Sequence, residues 1–156
     1  MLKEVFNFIK QPVYQEDENY NLNHHFTIFF KLLGLSIVFS VSLGIIASLV
    51  EQLFSLDFGK HAINEILEKY PLSYLFLGAV FAAPVLEELI FRGPFIFFKD
   101  SKHFRYSFYA LTLIFGFYHI TNFEFTTTVL LFLPLLVAPQ LSVGLFLGYI
   151  RIRFGL

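Results

Sequence analysis

The chain has 156 residues, of which 56% are hydrophobic and 15% charged, with a mean hydropathy of +0.67 and a net charge of −1. Soluble domains carry about 25% charged residues, so this composition describes a polytopic membrane protein. A sequence without Cys excludes disulfides, iron–sulfur clusters, thiolate metal sites and a Cys nucleophile, and the near-neutral charge gives no footprint for nucleic acid.

Residues 1–26 read as a polar N-terminal leader. Leu2, Val5, Phe6 and Ile9 recur at helical spacing and predict a surface helix, followed by an acidic linker with Glu16, Asp17 and Glu18. Acids and amides stand where a cleavable signal peptide would have a basic start and a short apolar core. Residues 27–156 read as one membrane-embedded domain. It holds four apolar segments, 27–50, 72–98, 105–122 and 129–150, each near the ~20 residues that cross a bilayer. In the linker 51–71, Ile63, Ile66, Leu67 and Tyr70 repeat at helical spacing among polar residues, which predicts a helix lying in the membrane interface. Pro71 marks entry into the second span. The expected fold is an all-α polytopic bundle of about four spanning helices plus one interfacial helix.

Lys3, Lys10 and Lys31 flank the start of the first span. Lys99, Lys102 and Arg105 lie between the second and third, and Arg151 and Arg153 follow the fourth. The opposite loops carry only Lys60 and Lys69, against five acids. The positive-inside rule therefore puts both termini in the cytoplasm.

The second span, PLSYLFLGAVFAAPVLEELIFRGPFIFF, contains Glu87, Glu88 and Arg92. Each ionisable group costs roughly 2.5–3.5 kcal/mol at the centre of a spanning helix, so three in six residues mark a functional site. On a helix Glu88 and Arg92 share a face and can pair, while Glu87 points about 100° away. One carboxylate held by arginine and one left for another partner suits general acid–base chemistry, whereas an ion pair that merely locks two helices is the bland alternative. His119 lies late in the third span. It sits about 21 Å above the cytoplasmic end of its helix, and Glu88 about 15 Å above the end of its own, so the two can meet if the second span extends to Phe98. The second and third spans are expected to pack face to face around a cavity lined by Glu87, Glu88 and His119, and Pro84, one turn before Glu87, introduces a kink that serves either this cavity or packing alone. Tyr118, Asn122 and Phe123 are neighbours that could support the site. Gly144 and Gly148 form a G-x-x-x-G pair that permits close helix approach, with Gly155 further on. Four spans without an internal repeat give a transporter or proton relay little to build alternating access from.

Glu87-Glu88-x-x-x-Arg92, Phe115-x-x-x-His119 and the Gly144/Gly148/Gly155 helix, in this order, resemble the CPBP family of CAAX-protease and bacteriocin-processing membrane proteins over about residues 70–156. The resemblance implies a multi-pass protein of the bacterial cytoplasmic membrane, in contact with lipid. It implies an intramembrane endopeptidase in which Glu87 and His119 activate a water, Glu88 and Arg92 support the site, and the substrate is a membrane-associated peptide or protein, CAAX-like or bacteriocin-related. Glu87, Glu88 and His119 could equally hold Zn2+; no H-E-x-x-H is present, and the choice between zinc and no cofactor stays open. The family pattern closes with a further H-x-x-x-N segment, and this sequence stops at Leu156, where that segment would begin. The alternative expectation is therefore a truncated or inactive relative acting in bacteriocin self-immunity or as a membrane scaffold.

Overall fold

A computed structural model describes residues 1–19, 21–59 and 61–155, without the side chains of Ile63 and Glu65. Lys60 and Leu156, and the Ile63 and Glu65 side chains of the expected interfacial helix, lie outside the described residues. The described residues are helical throughout their ordered elements, with no strand among them. The all-α expectation holds.

Helix α1 spans Leu2–Lys10 and α2 spans Leu22–Leu53. Asn21 caps α2 by accepting from the Asn23 N–H at 2.9 Å. Helix α3, Ala62–Lys69, is the short helix expected before the second span. Helix α4 runs Leu72–Phe98 with a changing pitch. Gly78–Ala82 and Glu88–Arg92 are π-helical turns, and Gly93–Phe98 is a 3₁₀ helix. Pro84 lacks the N–H that an α-helix directs at the carbonyl four residues earlier, and the widened turn at 78–82 lies where that bond is lost. Helix α5, Phe104–Tyr118, continues as the 3₁₀ turn His119–Asn122. The expected fourth span appears as two pieces, α6 (Thr127–Leu131) and α7 (Leu133–Phe154). The Thr126 hydroxyl caps α6 through the Val129 N–H, and Pro134 sits in the first turn of α7, where its missing N–H costs nothing.

Among the described residues three helices, α2, α4 and α7, are long and apolar enough to cross a membrane. Helix α5 occupies the remaining apolar segment; its 15 α-helical residues rise about 22 Å and the 3₁₀ turn that continues it adds about 8 Å, close to a hydrocarbon core of about 30 Å. The fold is that of an integral membrane protein.

Helix α7 is the centre of the bundle, packed against α2 on one side and α5 on the other. Its residues anchor three apolar clusters along its length. Leu136 and Val137 meet Phe58, Ile120 and Val129 at one end. Tyr149 and Ile150 meet Val5 and Leu32, and Ile152 meets Phe95, Phe104 and Phe108. The glycines make the α5–α7 approach possible. A Cβ on Gly148 would lie 2.8 Å from Phe108, and one on Gly144 would lie 3.0 Å from Phe115. In lipid, where apolar side chains gain nothing by leaving water, such close packing is what holds helices together. Helix α4 joins α5 only through its second half, Glu88–Phe98, so the expected face-to-face packing of these two spans is confined to the site level.

The N-terminal end is strapped to the bundle. Val5 is 2% exposed. The Tyr109 hydroxyl donates to the Ile9 carbonyl at 2.7 Å. The Asp17 N–H donates to the Arg153 carbonyl at 2.7 Å, and the Arg153 guanidinium donates to the Gln15 carbonyl at 3.0 Å. Helix α1, the segment after it and the last turn of α7 therefore sit at one end of the bundle.

Candidate active site

Glu87 ends the α-helical stretch of α4, and Glu88 opens the π turn that ends at Arg92. A π turn carries an extra residue relative to an α turn and is frequent at functional sites. Here it sets the two neighbouring carboxylates toward different partners. Glu88 Oε2 lies 3.8 Å from Arg92 Nε, and Glu88 Oε1 lies 3.6 Å from Arg151 Nε. Glu87 Oε1 lies 3.7 Å from His119 Nε2. The structure thus brings together all four residues singled out from the sequence, in two pairs.

Arg92 is 3% exposed, and its guanidinium lies 4.4 Å from the centre of the Phe115 ring. A cation over an aromatic face is favourable and more so when desolvated. The Phe115 ring also meets Phe91 and His119 edge-on. Phe115, which sits four residues before His119, therefore spaces the arginine from the imidazole. Beneath it, Thr112 and Phe115 close over Gly144, so the G-x-x-x-G helix fixes how deep the aromatic wall sits.

His119 sits at the end of α5, where the helix tightens to 3₁₀. Its Nδ1 lies 2.9 Å from the Phe115 carbonyl, an acceptor, so Nδ1 carries a proton and donates. In the neutral ring Nε2 is then an acceptor facing a second acceptor, Glu87 Oε1. Two acceptors 3.7 Å apart need a proton between them. Either the imidazole is charged and the contact is an ion pair, or a water donates to both. The separation exceeds a direct hydrogen bond and is somewhat shorter than the roughly 4.4 Å that a water donating to both at about 2.8 Å would span, so the bridge needs a small outward shift of one side chain.

Among the described residues no three His, Cys, Asp or Glu side chains converge as a metal site. The cause is visible: Glu88 is engaged by two guanidinium groups, which leaves Glu87 and His119 as the only donors facing one another. Structural and catalytic zinc sites use three or four protein ligands, so this donor pair is a poor fit to zinc.

A cavity of about 370 Å³ adjoins the site at the end of the bundle away from the termini. It lies between α2, α3, the His119–Asn122 turn and α7. His119, Asn122 and Phe123 line it, but Glu87 and Glu88 do not. The expectation that both glutamates and His119 share one cavity is corrected in this respect. Helix α4 approaches α5 from the opposite side, so the carboxylates reach the imidazole from behind the cavity wall. Tyr118 is exposed and packs against Phe91.

Sequence reading treats Arg151 only as a topological charge. Its place opposite Glu88 follows from Gly144, Gly148 and Arg151 lying on one face of α7 at helical spacing, a signal present in the sequence. The cavity residues Glu51, His61, Asn64 and Gln140 carry no comparable signal, because four separate elements assemble them.

Comparison with curated proteins and with solved structures found no match. Comparison with protein families matches residues 69–156, more than half of the chain and all four site residues, to Type II CAAX prenyl endopeptidase Rce1-like. The chain belongs to this family of CAAX-protease-type membrane proteins.

Proposed function

We propose that the chain is an intramembrane endopeptidase that uses Glu87 and His119 to activate a water against a peptide bond of a membrane-associated substrate. The observation that carries this reading is the 3.7 Å approach of Glu87 Oε1 to His119 Nε2. A water donating to both is polarised for attack on a carbonyl carbon. Glu87 accepts the water proton as the carbon–oxygen bond forms, then delivers it to the leaving nitrogen as the carbon–nitrogen bond breaks. The products are a carboxylic acid, which releases the second water proton to solvent as it ionises, and an amine, and the glutamate returns to its starting state. His119 orients the water, held in its tautomer by the Phe115 carbonyl. Glu88 keeps Arg92 and Arg151 fixed at the site and takes no proton. No step requires zinc. Both termini are placed on the cytoplasmic side, following the positive charge of the flanking loops.

The test is cleavage of a farnesylated CAAX-box peptide and of an unprenylated random decapeptide mixture by the full chain in nanodiscs. Glu87→Gln and His119→Ala are expected to lower kcat about 10²–10⁴-fold, with helical circular dichroism unchanged. Variants that cleave as well as the parent would sink the reading and favour a non-catalytic immunity or scaffold role. A chelator is expected to leave the rate unchanged. Loss of activity on chelation, restored by Zn2+ alone, would place a metal in the mechanism.

A further inference from the structure

At the end of the bundle that carries α1, a second cavity, of about 500 Å³, opens between the segment after α1 and the loop that joins α4 to α5. Lys99, Ser101, Lys102 and Arg105 line it on the loop side, and Gln11 and Tyr14 line it on the other. No carboxylate takes part in its wall, and Asp100 of the same loop stays outside it. Among the described residues none of the three cations has an ion-pair partner, and the Arg105 guanidinium meets the Tyr109 ring 5.7 Å from its centre. We propose that this cavity binds the headgroup of an anionic phospholipid, with Lys99, Lys102, Arg105 and the Ser101 hydroxyl holding its phosphate. The site is separate from the Glu87–His119 pair and needs no peptidase chemistry.

Positive loops orient a membrane protein wherever their charges lie, so three cations alone say nothing of a ligand. Here they share a walled space with a hydroxyl donor. Ser101 Oγ accepts from the His103 N–H at 3.1 Å, and its own hydrogen has no acceptor among the described residues. Arg105 offers a planar fork that suits two phosphate oxygens, and the lysines add compact point charges. The opposite wall is fixed in place. The Tyr14 ring meets Phe104 edge-on at 5.5 Å, and the Tyr109 hydroxyl holds the Ile9 carbonyl just before Gln11.

The absence of acids from the wall decides between headgroups. A zwitterionic choline headgroup would bring its own cation among these three, with no carboxylate to receive it. A soluble phosphate ester shares the anion but has no acyl chains, and the place of the cavity favours a ligand that has them. Gly93–Phe98 is a 3₁₀ helix, which the Lys99 N–H continues by donating to the Ile96 carbonyl at 3.5 Å. Residues three apart on such a helix share a face, so Ile96 stands beneath Lys99 on the membrane side. Ile96 is 52% exposed and Phe97 83% exposed, which leaves apolar surface for acyl chains directly below the cations. Basic pockets between spanning helices, at the level of the headgroups, recognise anionic lipids in this way.

The chain has no Trp, so Ile96→Trp supplies a single fluorophore at an exposed position on the face of Lys99. The full chain carrying it is reconstituted in vesicles of mixed phosphatidylcholine and phosphatidylglycerol, with bromine on the acyl chains of one lipid or the other. Bromine quenches the indole on contact, so the two quenching curves give the relative affinity of the lipids at this position. Phosphatidylglycerol is expected to be preferred about tenfold, given about fivefold for each basic side chain near an anionic surface. Lys99→Gln/Lys102→Gln is expected to bring the ratio to about twofold or less, with helical circular dichroism unchanged because both side chains are exposed and unpaired. Lys3→Gln/Lys31→Gln removes the same charge elsewhere on the protein and is expected to keep the preference. Glycerol 3-phosphate is expected to change quenching no more than sodium chloride of equal ionic strength. Equal quenching by the two lipids overturns the proposal, and so does an equal loss in the Lys3/Lys31 control, which would mean diffuse attraction without a site. Displacement of the lipid by glycerol 3-phosphate beyond the salt control would make the ligand a soluble phosphate ester and overturn the assignment to lipid.

Discussion

At the scale of single residues, Arg92 carries the heaviest electrostatic burden. It is almost fully buried, paired with Glu88 and set over the Phe115 ring. Removing one member of a buried pair leaves the other uncompensated, which typically costs about 3–5 kcal/mol. Glu88 is 31% exposed and retains Arg151, so the loss should fall below that range. Arg92→Ala is expected to lower the unfolding midpoint in detergent by several degrees. Arg92→Lys is expected to recover part of the stability but little of the activity, because an ammonium cannot reproduce the planar contact with Phe115. Equal loss of both properties in the lysine variant would argue that charge alone matters. The identities of Glu87, Glu88, Arg92 and His119 were legible in the sequence because ionisable groups are costly inside an apolar run. Their division into two pairs was not, since a π turn leaves no mark in composition.

At the scale of elements, two devices position the site. The first is the glycine face of α7. Gly148→Leu would force a side chain into Phe108, and overpacking of this kind costs about 1–3 kcal/mol. Thermal unfolding should register that loss, while Gly34→Ala, with open space around it, should not. The second device is the π turn Glu88–Arg92. It holds one residue more than an α turn, so deleting Leu89 should restore regular α pitch with little net rotation of the flanking segments and remove the widened turn that carries Glu88 and Arg92. The expected outcome is loss of cleavage with helical circular dichroism retained. Retained cleavage would show that the turn is incidental. The glycine spacing announced close packing from the sequence. The element break at Phe132 and the changing pitch of α4 were hidden, because both lie inside uninterrupted apolar stretches.

At the scale of the whole molecule, the N-terminal leader acts as a strap. Val5 sits against Leu32, Tyr149 and Ile150, and backbone bonds join residues 9, 15 and 17 to α5 and α7. Burying one Val or Phe side chain is worth about 1.5–3 kcal/mol, so removal of residues 1–18 is expected to lower the unfolding midpoint measurably. An unchanged midpoint would show that the strap is energetically idle. The strap joins the ends of α5 and α7 that lie opposite the His119 cavity, so the same truncation tests whether the two ends of the bundle are coupled.

Composition and hydropathy by themselves determined that this chain lives in a membrane as helices. Lipid satisfies no backbone hydrogen bond, and a long apolar segment there has little choice but to be helical. They also determined which side chains were worth suspecting, because burying charge is expensive wherever the helix goes. The tertiary structure alone decided which charge faces which. Arg151, the cavity residues and the approach of His119 to Glu87 depend on how separate helices cross, and crossing is set by a few glycines and aromatic rings whose effect appears only once their neighbours are in place.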